Sequence, residues 1–436
     1  MARLRMPGSE HPITRRLPWM MAGDAMSGIF AMLTFFGSVF VLFLAELGLD
    51  KTRIGVLLSL VPFCGIFAAF VAPLVSRWGF KRTAVLFWGL RHVFMALVLL
   101  TPALLRRNGL DAAYTWTAVL ILLFGLFRAT AEIAFNPWIQ EIVPDSIRGK
   151  FYALNSMTST IAQMIAVGLA SRYIEGSSGT NRYMVLIGIG SAIGACSALC
   201  YAMVPGGAPA PTAARFSAHW AAMRSALRER SYVLFLIAVS LVTVALAAMG
   251  FVPLYMQEQV GISTGNVLLL TVFTSIGSVL SSYLWGSGAD RLGSRPIMRW
   301  GIIVLLLPPI SWLLMPRQSA ASQPVAFAIA LLQGVGTIGW QLASTRFLYV
   351  YSAHSEQRVG YITLCYVISQ LGNGFGPMIA GRVLDAAAGL KGHLGGLRID
   401  AYSPVFGLML VTTLAGYLLV RRLTSDSTSA PQPPGD

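Results

Sequence analysis

Apolar residues in this chain run on for about 20 positions at a time and stop at short stretches of charge, glycine or proline. A bilayer core is crossed by roughly 20 residues of α-helix, so runs of this length predict membrane spans. Twelve are expected, at 19–46, 53–75, 83–105, 113–137, 150–173 and 183–204, then at 232–256, 263–286, 297–315, 323–348, 359–384 and 402–420. Between the sets, Pro205 to Arg230 opens on Pro, Gly and Ala. It continues as a basic stretch with Arg215, Arg224, Arg228 and Arg230, which predicts an amphipathic linker helix lying on the membrane surface. The expected organisation is an N-terminal bundle (1–204), a cytoplasmic linker (205–230), a C-terminal bundle (231–424) and a disordered polar tail (425–436).

Composition agrees with a lipid environment. Of 436 residues 56% are hydrophobic and only 11% charged, against roughly a quarter charged in a soluble domain. The formal charge of +15 would suggest nucleic acid for a soluble protein, but here Lys and Arg gather in the short connections, which is a topology signal. With the N-terminus in the cytoplasm, 20 of the 32 basic residues lie inside, about ten outside, and Arg91 and Arg128 within spans. Both termini are therefore expected in the cytoplasm, with a bacterial inner membrane as the setting. The first apolar run is long and has no evident cleavage site, so it is expected to remain as the first span. Cys64, Cys196, Cys200 and Cys365 sit in apolar runs without a CxxC pair or a His at ligand spacing, so no metal or cofactor is expected. No GxxxxGK[ST] loop is present, and an ion or solute gradient is the expected energy source.

A short basic loop occurs twice. SRWGFKR, Ser76 to Arg82, returns 214 positions later as DRLGSRP, Asp290 to Pro296, and each joins the second and third spans of its half. IVPDSIRGKFYAL (142–154) and SAHSEQRVGYITL (352–364) repeat likewise, with Arg148 and Arg358 in step. Two repeats at nearly one offset predict a duplication of six plus six helices.

With GSGADRLGSR in the second loop, the chain resembles the major facilitator superfamily of secondary transporters over essentially its whole length. Gly286, Asp290, Arg291, Gly293 and Arg295 match the family's Gly-x-Leu-x-Asp-Arg-x-Gly-Arg-Lys signature. The first copy keeps Arg77, Gly79 and Lys81 but has Ala72, Ser76 and Phe80 where glycine, aspartate and a basic residue are expected. The resemblance implies an all-α polytopic fold of two pseudo-symmetric six-helix bundles that alternate access to a site near the bilayer midplane, with these loops as cytoplasmic gating motifs. A second reading of the loops is a positive anchor with no moving part.

Ionisable side chains inside spans are costly and mark candidate sites. Asp24 lies just over one turn inside span 1, where snorkelling to the surface competes with a coupling role. Arg91 and His92 are adjacent in span 3, about 14 Å along the helix from Arg82. They diverge by about 100°, so one faces a cavity and the other a neighbouring helix. His92 is either a proton relay or a hydrogen-bonded packing residue. Arg128 and Glu132 stand four apart in span 4 and pair on one face, as a structural pair or as a switch in which substrate or proton competes. The resemblance places an arginine at Arg128 in antiporters, but a glycine at Glu132.

The second half offers neutral groups: Gln333, Trp340 and Gln341 in span 10, and Tyr366, Gln370 and Asn373 in span 11. These suit an organic solute with apolar and hydrogen-bonding parts, or simply helix association. Span 11 also holds GNGFGPMIAG, whose small residues at intervals of four predict close helix approach. It is similar to an antiporter signature that the family carries in span 5; span 5 here lacks it.

The expected protein is a monomeric secondary transporter, not an enzyme, moving a small organic solute with proton coupling through Asp24 and Glu132. Arg91 and Arg128 point to an anionic or zwitterionic solute. The alternatives are a proton-driven exporter of lipophilic cations and a non-transporting sensor or assembly protein. Membrane lipids are expected partners; nucleic acid is not.

Overall fold

All twelve apolar runs are helical. The computed structural model describes residues 16–209, 223–352, 358–394 and 397–423. Helices Lys51–Trp78, Asp145–Glu175, Asn181–Ala202, Thr264–Leu292, Ser294–Leu313, Ser322–Ser352, Arg358–Ala386 and Ser403–Arg421 each cover one expected span. Span 1 is interrupted, as Leu17–Leu33 and Ser38–Glu46, and span 7 continues from Arg230–Ala248 through shorter turns to Val260. Spans 3 and 4 follow Phe80–Leu97 and Thr101–Ile142, the latter broken at Gly109, whose φ of 83° with ψ of −179° is essentially restricted to glycine. Half of the linker, 210–222 with Arg215, and the tail lie outside the described residues, as do 353–357.

Among the described residues, eight helical runs are long and apolar enough to cross a membrane, and Phe80–Ile142 among them holds two spans. Asp145–Glu175 is not one of the eight, because Asn155, Ser156, Thr158, Ser159, Thr160 and Gln163 dilute its hydropathy. Three of them, Asn155, Ser159 and Gln163, make hydrogen bonds inside the unit.

The repeated loop is repeated in three dimensions. Gly79 (φ 96°) and Gly293 (φ 85°) each separate two helices by a single residue in a conformation that side chains disfavour. In both copies the glycine N–H bonds the carbonyl four residues back, Gly79 to Val75 and Gly293 to Ala289, each at 3.1 Å. Packing follows the duplication as well. Helix Phe80–Leu97 packs on Thr101–Ile142 as Ser294–Leu313 packs on Ser322–Ser352. Leu17–Leu33 packs on Asn181–Ala202 as Arg230–Ala248 packs on Ser403–Arg421.

The chain forms two compact units. The first comprises Met1–Ala214 with Gly250–Val272 and Pro377–Ala386; the second comprises Arg215–Met249, Phe273–Gly376 and Ala387–Asp436. Buried Leu17, Met20, Trp88, Trp138, Phe151 and Tyr201 form a core in the first. Tyr232, Phe235, Met298, Ile302, Trp340 and Phe347 form one in the second. Each large side chain of this kind is stabilised by roughly 1.5–3 kcal/mol on burial from water, a term that lipid replaces with close packing. Close packing is visible at the span 11 glycines. A methyl group on Gly376 would meet Ala247 and the Val244 carbonyl, and one on Gly372 would meet Thr243 and the Ser240 carbonyl.

Within the first unit, helix Lys51–Trp78 begins on two carboxylates. Asp50 accepts from the Arg53 amide at 2.7 Å, while Asp385 accepts from the Lys51 and Thr52 amides at 3.2 and 2.7 Å. Three of the four free amides at this helix start are thereby satisfied, by anions placed where the helix dipole favours them. The Lys51 ammonium also pairs with Glu258. In the second unit, strands Gly392–Leu394 and Leu397–Ile399 pair antiparallel ahead of the last span, and Arg317 meets Asp400 at 2.7 Å.

Candidate functional site

The sequence candidates form two groups, one in each unit. In the first, span 1 presents Asp24 to spans 5 and 6. Its carboxylate accepts from the Tyr201 hydroxyl at 2.5 Å and from the Asn155 amide at 2.6 Å, and the Ser159 hydroxyl donates to the Asp24 carbonyl at 3.3 Å. Asp24 is thus held by interior groups and does not snorkel. One turn on, Ser27 accepts from the Arg91 guanidinium at 2.9 Å. Arg91 is only 3% exposed and lies over the rings of Trp88 (3.6 Å) and Phe30 (5.2 Å). Trp88 meets Tyr201 edge to face at 5.9 Å, so cation, aromatic rings and carboxylate form one cluster.

Arg128 and Glu132 pair at 2.5 Å, as their spacing predicts. Both are about a quarter exposed, at 22% and 29%, and Arg128 also lies 4.8 Å from the centre of the Phe36 ring. His92 is enclosed against Phe30, edge to face at 4.3 Å. Neither of its nitrogens has a hydrogen-bond partner among the described residues, which gives a relay no neighbour to pass a proton to. Arg91 and His92 are both buried, so the divergence of the two side chains does not bring either into open space.

The second unit contains a cavity of about 430 Å³. Spans 7, 8, 10 and 11 line it, with Trp340, Gln341, Asn373 and Gln333 beside Thr243 and Thr274. Among the described residues that line it, none is charged. Trp340 is 3% exposed and anchors the wall. Gln370 stands apart, donating to Tyr366 at 3.4 Å.

The loop residues divide. Asp290 pairs with Arg346 of span 10 at 3.4 Å, within its own unit, and Arg346 also donates to Ser294 at 2.9 Å. Arg295 donates to the Arg421 carbonyl at 2.5 Å, holding the end of span 12. Arg291 is exposed, and open space surrounds Gly286. In the first copy the Lys81 amide bonds the Gly207 carbonyl at 3.2 Å, Gly207 in turn donates to Glu141 at 3.0 Å, and Arg77 is exposed. The start of the linker is thus fastened against this loop.

A sequence profile of the Major Facilitator Superfamily matches residues 25–316 and 234–436. The chain belongs to that superfamily. It is a multi-pass membrane transporter, not an enzyme. No curated protein matches it significantly by sequence. Among solved structures, the nucleoside transporter NupG is 13% identical with a TM-score of 0.69, over 95% of this chain and 98% of that one. A bacterial homologue of the human lysosomal transporter Spinster, inward-facing and occupied, is 15% identical with a TM-score of 0.69, over 95% and 98%. A D-xylose-proton symporter is 14% identical with a TM-score of 0.69, over 94% and 97%. At such identities the likeness establishes the fold alone.

Several contributors escaped the sequence reading. Tyr201, Asn155, Ser159 and Ser27 partner the buried charges, and Thr243, Thr274 and Ser369 line the cavity. The available signal was polarity inside a span, which these residues share with groups that only satisfy their own helix.

Proposed function

We propose that this transporter moves a small uncharged organic solute, with a ring and several hydroxyl or amide groups, by proton-coupled alternating access. The observation that carries the reading is the second-unit cavity: about 430 Å³, neutral and rich in amides and hydroxyls around Trp340. Its volume falls within the roughly 300–1,000 Å³ usual for small-molecule sites, and the tryptophan supplies a face for a ring. An anionic or zwitterionic solute was suggested by Arg91 and Arg128. Arg91 is enclosed between aromatic rings and Ser27, and Arg128 is held by Glu132, so that support is weakened. The nucleoside and D-xylose specificities of structural neighbours are of the same chemical kind.

Proton coupling is assigned to Asp24, with Glu132 as the second carboxylate. Protonation turns one of the two accepting oxygens into an O–H donor, so one of its two partners must turn or let go, which ties the charge of Asp24 to the position of spans 5 and 6. We further propose bundles at 1–204 and 231–424 joined by 205–230, both termini in the cytoplasm, and a monomer in a plasma membrane. The test is uptake into proteoliposomes of labelled pentoses, nucleosides, organic anions and lipophilic cations, with and without an inward proton gradient. Gradient-driven uptake of a neutral ring solute is expected. Uptake confined to anions or to lipophilic cations replaces the substrate assignment, and the absence of any flux removes transport of these classes.

A further inference from the structure

The first-half loop carries a groove that the transport reading does not use. It has a volume of about 410 Å³ and lies where spans 2 and 3 meet, lined by Arg77, Trp78, Arg82, Leu86, Phe87 and Pro209. Trp78, directly before the Gly79 turn, is 52% exposed, and Leu86, nearly two turns into span 3, is 55% exposed. Arg77 and Arg82 are both exposed, and neither has a hydrogen-bond or ion-pair partner among the described residues. The second copy of the loop is spent differently, since Asp290 pairs with Arg346 and Arg295 with the Arg421 carbonyl. Ser76 stands where the second copy has Asp290, so the first loop has no carboxylate of its own to set against its arginines.

We propose that this groove binds the headgroup of an anionic phospholipid. The two guanidiniums face the phosphate as charge-assisted donors, and one acyl chain lies along Leu86 and Phe87. Trp78 sits at the headgroup level, where an amphipathic ring is most favourable. The occupant is a lipid and not a free phosphate because half of the lining is apolar and borders the membrane-spanning part of the helix. Pro209, from the linker, closes the groove's edge, so an occupied groove also steadies the linker start that Gly207 ties to Lys81.

The test is native mass spectrometry of the full chain in detergent, titrated with phosphatidylglycerol, with phosphatidylcholine of the same acyl chains, and with inorganic phosphate. Paired variants are Arg77→Gln/Arg82→Gln and, as a charge-matched control on the opposite loops, Arg106→Gln/Arg107→Gln. Retained phosphatidylglycerol adducts are expected in the wild type and the control. In Arg77→Gln/Arg82→Gln the apparent affinity should fall about thirtyfold, each arginine contributing about fivefold. Trp78→Ala should weaken phosphatidylglycerol binding without changing the preference over phosphatidylcholine. Equal binding of the two lipids, an equal loss in the control variant, or full competition by inorganic phosphate each overturns the proposal.

Discussion

The two units carry opposite kinds of interior. The first encloses Asp24, Arg91, Arg128 and Glu132, each already bonded within the unit. The second encloses a neutral cavity whose polar atoms belong to amides and hydroxyls. Charges buried in a membrane protein are costly unless partnered, and protonating a partnered carboxylate removes the charge that its partners hold. Neutral donors and acceptors around an aromatic ring discriminate solutes by hydrogen bonding. The difference separates a part of the molecule suited to sensing protons from a part suited to recognising a solute, although both descend from one six-helix pattern.

The sharpest way to break this contrast is at the ion pair. Arg128→Ala leaves Glu132 without its cation in a site about a quarter exposed, and a loss of about 2 kcal/mol is expected, below the 3 to 5 of a fully enclosed pair. Exchanging the two residues should recover part of it in thermal unfolding. No recovery would mean that surrounding groups, and not the pair, hold the charges. Asp24→Asn comes next. The amide retains one acceptor but turns a donor toward Tyr201 or Asn155, costing about 1–2 kcal/mol, and proton-driven uptake should fall to the level seen without a gradient while solute exchange persists. Unchanged gradient-driven uptake moves coupling elsewhere.

In the neutral cavity, Gln341→Ala should weaken solute binding about tenfold and leave the pH dependence of transport unaltered. A shift in pH dependence there would erase the separation. The smallest effect is expected at the pair of exposed Asp290 and half-buried Arg346. Asp290→Asn should change stability by less than about 1 kcal/mol, and altered labelling of engineered cysteines on the cytoplasmic side would show that this pair gates. Unaltered labelling leaves it an anchor.

The fold was legible because lipid demands long apolar helices, and each of the twelve apolar runs has its helix. The Arg128–Glu132 pair was legible because four residues make one helical turn. Partners across helices were not. Tyr201 is 177 positions from Asp24 and Asn155 is 131, and nothing local distinguishes them from other polar residues in spans. The break at Thr34–Gly37 was hidden for a related reason, since it lies inside a continuous apolar run. The Asp290 loop was legible as a repeat, but its partner, Arg346, stands in another span, and only the fold brings the two together.

The cap that Asp385 places on helix Lys51–Trp78 comes from 333 positions along the chain. A helix start capped by its own neighbours says nothing about distant structure. Here the Lys51 and Thr52 amides are shielded from solvent hydrogen only while the end of span 11 stays in place. Their deuterium uptake therefore reports that arrangement directly, without a probe attached to the protein, and would rise whenever the transporter visits a state in which the carboxylate has left.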